Sequence, residues 1–263
     1  MITNSTVASQ DEYKERYVAF LDLLGFKALV CAAESDENEH SRLRYVLELL
    51  NQTLCSVPRW GFRFSHFSDC IIITSDVAPE ALETIFSSVE TLTRNLLQYD
   101  VLVRGGMTRG GAFHSQQYVY GTAVSRAAVM EKEQAQAPLV LLAPEVYQDV
   151  VALGLRLLPW IEVDGPDRHF VHYLVQYAIY HQQARLPGTV SLDVDAERIA
   201  FYVSRRLLND PDGVRDKAQW FQAYWNRTVA RPDGFPPIEA DPSLTEPDGP
   251  RTTIIKRLIV SGG

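Results

Sequence analysis

The chain has 263 residues, 46% hydrophobic, 10% aromatic and 22% charged, which is the balance of a globular protein with chain enough for a sizeable core. Lys and Arg number 25 against 33 Asp and Glu, and the formal charge of −8 argues against duplex nucleic acid, whose phosphates call for a basic face. A nucleotide stays open as a partner, because a cation, backbone N–H groups and a few arginines meet its phosphates locally.

Residues 1–16 are polar and lack the apolar core of a signal peptide. No apolar run approaches the roughly 20 residues of a membrane span. Cys31, Cys55 and Cys70 form no CxxC pattern, so the expectation is a cytoplasmic protein with reduced, half-buried thiols and no membrane partner.

Residues 17–24 are a short apolar run ended by Gly25 and predict a buried strand. After polar residues 34–41, Leu43, Val46, Leu47, Leu50 and Leu54 mark a helix closed by Pro58. Residues 60–67 and 70–74 predict two strands joined around Ser68-Asp69 as a hairpin. Pro79 opens a helix carrying Leu82, Ile85, Phe86, Val89, Leu92, Leu96 and Leu97. Residues 101–107 follow as a strand, 122–136 as a helix, and 139–142 as a strand bracketed by Pro138 and Pro144.

That order predicts an α+β fold, a ferredoxin-like antiparallel sheet with helices on one face, over residues 14–155. Residues 156–263 are expected to form a C-terminal extension packing on it. Within it, 168–175 predicts a strand and 195–208 a helix. Residues 231–250 hold six of the 14 prolines and predict a stiff, extended surface segment. The apolar tail 252–260 is expected to dock back.

Asp22 interrupts an apolar strand, where a lone charge costs several kcal/mol unless something pairs with it. Asp69 lies at the tip of the hairpin. In a ferredoxin-like sheet the first strand lies antiparallel beside the third, which brings Asp22 and Asp69 to one edge. Two converging carboxylates repel unless a proton or cation separates them, and oxygen ligands suit Mg²⁺ or Mn²⁺. Taken alone, each Asp is equally well a strand cap or a turn residue. Gly25 and Phe26 weaken that plainer reading, since a small residue there lets backbone N–H groups approach a phosphate chain.

The run Phe20-Leu21-Asp22-Leu23-Leu24-Gly25-Phe26 resembles the F-x-D-x-x-G-F signature of class III nucleotidyl cyclases. Phe67-Ser68-Asp69-Cys70-Ile71-Ile72 resembles the family's second metal-binding hairpin, with Ser68 where Gly is usual. Arg104-Gly105-Gly106-Met107-Thr108-Arg109-Gly110 resembles its R-x-G strand, and residues 120–128 resemble its G-x-x-V-N-x-A-A helix start. The four blocks fall in order over residues 17–145.

The resemblance implies a homodimer with active sites at the subunit interface. Asp22, Asp69 and the Leu23 carbonyl would hold two divalent ions, Mn²⁺ or Mg²⁺, for in-line displacement at phosphorus. The products would be a 3′,5′-cyclic nucleotide and pyrophosphate.

Departures from the pattern narrow the expectation. Ser65 and Tyr118 stand where purine cyclases read the base, and Ser125 and Val129 stand where the transition-state Asn and Arg are usual. Arg126 is the nearest substitute cation, with Arg104 and Arg109 on the preceding strand. A site that keeps its metal ligands and loses its purine readers resembles the pyrimidine cyclases of Pycsar anti-phage systems. Their product acts through a cyclic-nucleotide-binding effector. The implied substrate is UTP, giving cyclic UMP, with a cytidylate or purine cyclase as alternatives and a catalytically silent nucleotide-binding or dimerisation module as an alternative of another class. Phe20, Tyr118 and Tyr120 are candidates for contact with ribose or base. A core residue is the plainer reading of Phe20, and interface aromatics are the plainer reading of the tyrosines.

Overall fold

The computed structural model describes residues 12–55, 57, 59–180, 192–232 and 234–248. Its frame is one mixed sheet in the order β2-β3-β1-β4-β6-β8-β7, with β5 paired to the end of β4. The strands are β1 (Lys14–Leu24), β2 (Arg63–Phe67), β3 (Cys70–Asp76), β4 (Leu102–His114), β5 (Val119–Tyr120), β6 (Val140–Leu142), β7 (Ile161–Val163) and β8 (His169–Val171). The central strand β1 runs antiparallel to both neighbours, with Asp22 opposite Cys70 on β3 and opposite Arg104 on β4. This is the pairing the ferredoxin-like order predicts. The fold is α+β.

Alternation along β1 divides the core. Tyr17, Ala19, Leu21 and Leu23 face one side and join the main cluster, whereas Val18 and Phe20 face the other. On the first side α3 (Pro79–Leu96) packs against β1, β3 and β4, α2 (Glu37–Cys55) packs on α3, and α1 (Phe26–Ala33) packs on α2. Pro79 sits in the first turn of α3 with Glu80 beside it, and both suit a helix N-terminus.

The expectation of helices on one face needs a correction. Helix α4 (Thr122–Val129) lies on the opposite face, its Ala123 and Ala127 clustered with Val18 and Ala112. Gly106 makes that approach possible, since a Cβ there would meet the Met130 Cβ at 2.7 Å and the Ala127 carbonyl at 3.0 Å. The sheet is also not wholly antiparallel. The α4 crossover returns β6 parallel to β4, pairing Gly105 with Val140.

The predicted helix over 122–136 is α-helical only to Val129 and continues as a π-helical turn, Met130–Gln134, in which the Ala135 N–H reaches the Met130 carbonyl at 2.9 Å. The predicted strand over 168–175 is confined to β8, after which the chain turns into α6 (Val175–Tyr180). Pro144 opens α5 (Pro144–Leu153) rather than merely ending a strand. Cys31 and Cys55 are exposed and only Cys70 is half-buried, so the expected partial burial holds for one thiol of three.

Further along, α7 (Asp193–Asn209) and α8 (Asp212–Thr228) pack into the same apolar cluster as the sheet through Ile199, Val203, Phe221, Tyr224 and Trp225. Phe170 of β8 meets Trp220 and Tyr224 edge-on. The proline-rich segment is extended and tied to these helices. The Trp225 indole donates to the Pro236 carbonyl at 3.1 Å, and Gln222 and Asn226 donate to the Ile238 carbonyl at 2.9 and 3.2 Å. Pro58 and the tail 252–260 lie outside the described residues. Among the described residues no helix is long and apolar enough to cross a membrane.

Candidate active site

The β1–β3 register carries the site. With Asp22 opposite Cys70, the β2–β3 turn closes over the end of β1, and the Leu23 N–H donates to the Asp69 carbonyl at 3.0 Å. One carboxylate oxygen each from Asp22 and Asp69, together with Cys70 Sγ, lie within 4.8 Å of one another. Ser68, in that turn, has φ 56°, the left-handed region that costs a non-glycine residue about 1–2 kcal/mol. A tight turn held in that conformation is the physical reason a glycine fits the position better.

Arg104 relieves the carboxylate repulsion on one side. Its Nε donates to Asp22 Oδ2 at 3.0 Å and lies 2.7 Å from Glu131 Oε1. The π-helical turn aims Glu131 inward, where it is buried. Burial pushes the Glu131 pKa up and Arg104 opposes this, while Asp22 and Asp69 add to the rise. Asp22 and Glu131 thus share one guanidinium with Asp69 beside Asp22, an excess of negative charge that a divalent cation would balance.

The donor chemistry agrees. Burial and then the Asp69 and Asp22 carboxylates push the Cys70 thiol up to about 11, so in the cation-free site it is protonated and adds no charge. What remains is hard oxygen, which fits Mg²⁺ or Mn²⁺.

Phe20 shares the Asp22 face of β1 and is half-buried against Val18 and Ile72. Gly25, at φ 84°, turns the chain from β1 into α1. The Phe26 side chain, by contrast, points into the main core, leaving its backbone as the part that borders the turn.

Ser65 lies on β2 opposite Ile72, which is itself opposite Phe20, so the three form a row across the Asp22 face. The Ser65 hydroxyl is 2.9 Å from His114 Nε2. Tyr118 and Tyr120 are exposed on the β4–β5 hairpin that follows His114, and Tyr120 stacks on Phe113 at 5.1 Å.

Arg126 and Ser125 are not brought to Asp22. Arg126 pairs with Glu145 and donates to the Arg109 carbonyl, beside Gly110. Gly110 is six residues along β4 from Arg104, about 20 Å at ~3.3 Å per residue. Ser125 bonds back to the Gly121 carbonyl at 3.2 Å. Both line a cavity of about 670 Å³ between α4, α5 and β8, together with Val129, Tyr147, Arg168 and His169.

Two participants were missed from sequence, Glu131 and His114. The register sets Arg104 opposite Asp22, but nothing in it points to Glu131, which the π-helical turn delivers. His114 had no signal either, because its partners lie 40 and 49 residues away.

No family model matches the chain, and no curated protein matches it. Among solved structures it is similar to the monomeric guanylyl cyclase domain of the RhoGC fusion protein from the aquatic fungus Blastocladiella emersonii. The identity is 15% and the TM-score 0.45, over 60% of this chain and 95% of that one. The catalytic core of a rhodopsin-guanylyl cyclase with converted specificity, in complex with ATPαS, gives 15% identity and a TM-score of 0.43 over 60% of this chain and 95% of that one. The guanylyl cyclase Cya2 gives 13% identity and a TM-score of 0.36 over 61% of this chain and 92% of that one.

Proposed function

We propose that the protein is a metal-dependent nucleotidyl cyclase that takes a pyrimidine triphosphate, UTP first, to a 3′,5′-cyclic nucleotide and pyrophosphate. The observation that carries this reading is the convergence of Asp22, from β1, and Asp69, from the β2–β3 turn, with an unbalanced negative charge, at one end of the sheet.

In the reaction the ribose 3′-oxygen bonds to the α-phosphorus, the bond from that phosphorus to the β-phosphate oxygen breaks, and the 3′-hydroxyl proton leaves to solvent. Asp22, Asp69 and the Leu23 carbonyl would hold the two divalent ions. When bound, these acidify the 3′-hydroxyl and neutralise triphosphate charge. Arg104 orients Asp22 through the 3.0 Å hydrogen bond and keeps the carboxylates from repelling one another apart. The Gly25 turn leaves backbone near the same end of β1 for the phosphate chain.

Arg126, some 20 Å along β4 by strand rise, does not reach the same substrate within one chain. A second copy of the chain, contributing Arg126, Ser125, Tyr118 and Tyr120 across an interface, completes the site. The exposed Phe67, Tyr118 and Tyr120 suit such an interface. The resemblance assigns the product to a cyclic-nucleotide-binding effector in cytoplasmic anti-phage defence. The pairing of Arg126 with Glu145 favours the second reading, a silent nucleotide-binding module, because it occupies the substitute cation.

Replacing Asp22 or Asp69 by Ala separates the two readings. Each substitution is expected to abolish turnover and to weaken Mn²⁺ binding, followed by calorimetry, while the fold persists. Full activity in either variant would sink the metal assignment. Mn²⁺ binding without turnover in the unaltered protein would leave the silent module.

A further inference from the structure

His114 ends β4 with its ring buried between two hydroxyls. Nε2 lies 2.9 Å from Ser65 Oγ and Nδ1 lies 2.9 Å from Thr74 Oγ1. Burial, then the Arg63 and Arg16 guanidiniums, hold its pKa down near 4, so at neutral pH the ring carries a single N–H. One hydroxyl therefore receives the N–H, and the other must give its O–H to the bare nitrogen. The direction of the Ser65 hydroxyl is thereby coupled to Thr74, which is itself buried.

Ser65 is the half-buried member of this chain. It shares a row with Ile72 and Phe20 on the face that carries Asp22. A hydroxyl free to rotate donates or accepts as the base demands and reads neither edge. A hydroxyl that gives its O–H to Nε2 has only lone pairs left for the base, and a base presenting an acceptor there leaves a polar atom unpaired.

We propose that His114 is a positioning residue for base choice, clamping the Ser65 hydroxyl so that one hydrogen-bonding side of its oxygen faces the base. This rests on the cyclase reading and deepens it. It also accounts for a buried imidazole that the phosphoryl chemistry does not use.

The test is made on the full chain, with kcat/KM measured for UTP, CTP, ATP and GTP. His114→Phe keeps the ring volume and removes both nitrogens. Thr74→Val keeps the strand and removes only the hydroxyl that orients the imidazole, so it carries the test should His114→Phe not fold. Either change is expected to move the pyrimidine-to-purine ratio at least roughly fivefold, the size expected of one lost polar contact. In a Ser65→Ala background the same changes should leave that ratio unmoved.

A purely structural His114 would give lower stability, equal losses for all four substrates and effects additive with Ser65→Ala. That pattern would overturn the inference and leave the cyclase reading standing. No turnover of any triphosphate by the unaltered protein would overturn the cyclase reading, and this inference with it.

Discussion

Acidification from pH 7 to pH 5 is expected to destabilise the fold by about 4 kcal/mol through two imidazoles. His114 sits between Ser65 and Thr74, and His172 has its Nδ1 on the Tyr224 hydroxyl. Both pKa values are lowered from 6.5 to about 4, chiefly by burial, with Arg63 and Arg16 adding to it at His114 and Arg227 opposing Glu162 at His172.

The direction of the effect follows from which state binds protons first. Above pH 6.5 neither state is protonated, and the full stability is present. As pH falls through 6.5, the unfolded chain takes up protons that the folded chain does not bind until about 4. Each imidazole then costs about 2 kcal/mol at pH 5 and about 3 kcal/mol at pH 4, against a usual total of roughly 5–15 kcal/mol. Glu131, whose pKa is raised, works the other way and offsets part of the loss.

Urea unfolding at pH 7, 6 and 5 reads the sum, and His114→Phe isolates one share. The variant's loss between pH 7 and 5 should be smaller than the parent's by about 2 kcal/mol, whatever its absolute stability. Parallel pH profiles for the two proteins would refute a buried, neutral His114.

Two further outcomes are expected. Mixing Asp22→Ala chains with Arg126→Ala chains should restore part of the activity that each lacks alone, since one of the two hybrid interfaces regains both halves. Heterodimers that form without activity would count against a shared site. Gly106→Ala should lower stability by about 1–3 kcal/mol, because its Cβ must displace Met130 and the Ala127 carbonyl where α4 meets β4. A melting temperature equal to or above the parent's would contradict that close approach.

Asp22 and Asp69 were legible in sequence because the order of strands alone dictates that β1 pairs with β3, and the register then places the two residues. Helix α3 was legible because Pro79 and a long apolar stripe agree. The face that α4 covers was not. Apolar residues line both sides of β1, Val18 and Phe20 as well as Ala19 and Leu21, so the run announces burial without saying which helix supplies it. Helix α8 escaped because Trp220, Phe221, Tyr224 and Trp225 stand among charged and polar neighbours, a pattern too mixed to read as a stripe.

The Ser65–His114–Thr74 contact joins the end of β4 to the interior of the distant β2–β3 hairpin, and no local pattern encodes it. Arg126 is the substitute cation that the resemblance implies, and within one chain it is held elsewhere. It meets Glu145, and the π-helical turn carries Glu131 inward to Arg104.

The most direct measurement is incubation of the protein with ATP, GTP, CTP and UTP separately, in the presence of Mn²⁺, with products identified by mass. The expected result is a 3′,5′-cyclic nucleotide and pyrophosphate, with UTP or CTP turned over at least roughly tenfold faster than either purine, a difference of about 1.4 kcal/mol. Equal or faster turnover of ATP or GTP would replace the pyrimidine assignment with a purine cyclase. Absence of a cyclic product from all four would contradict the cyclase itself.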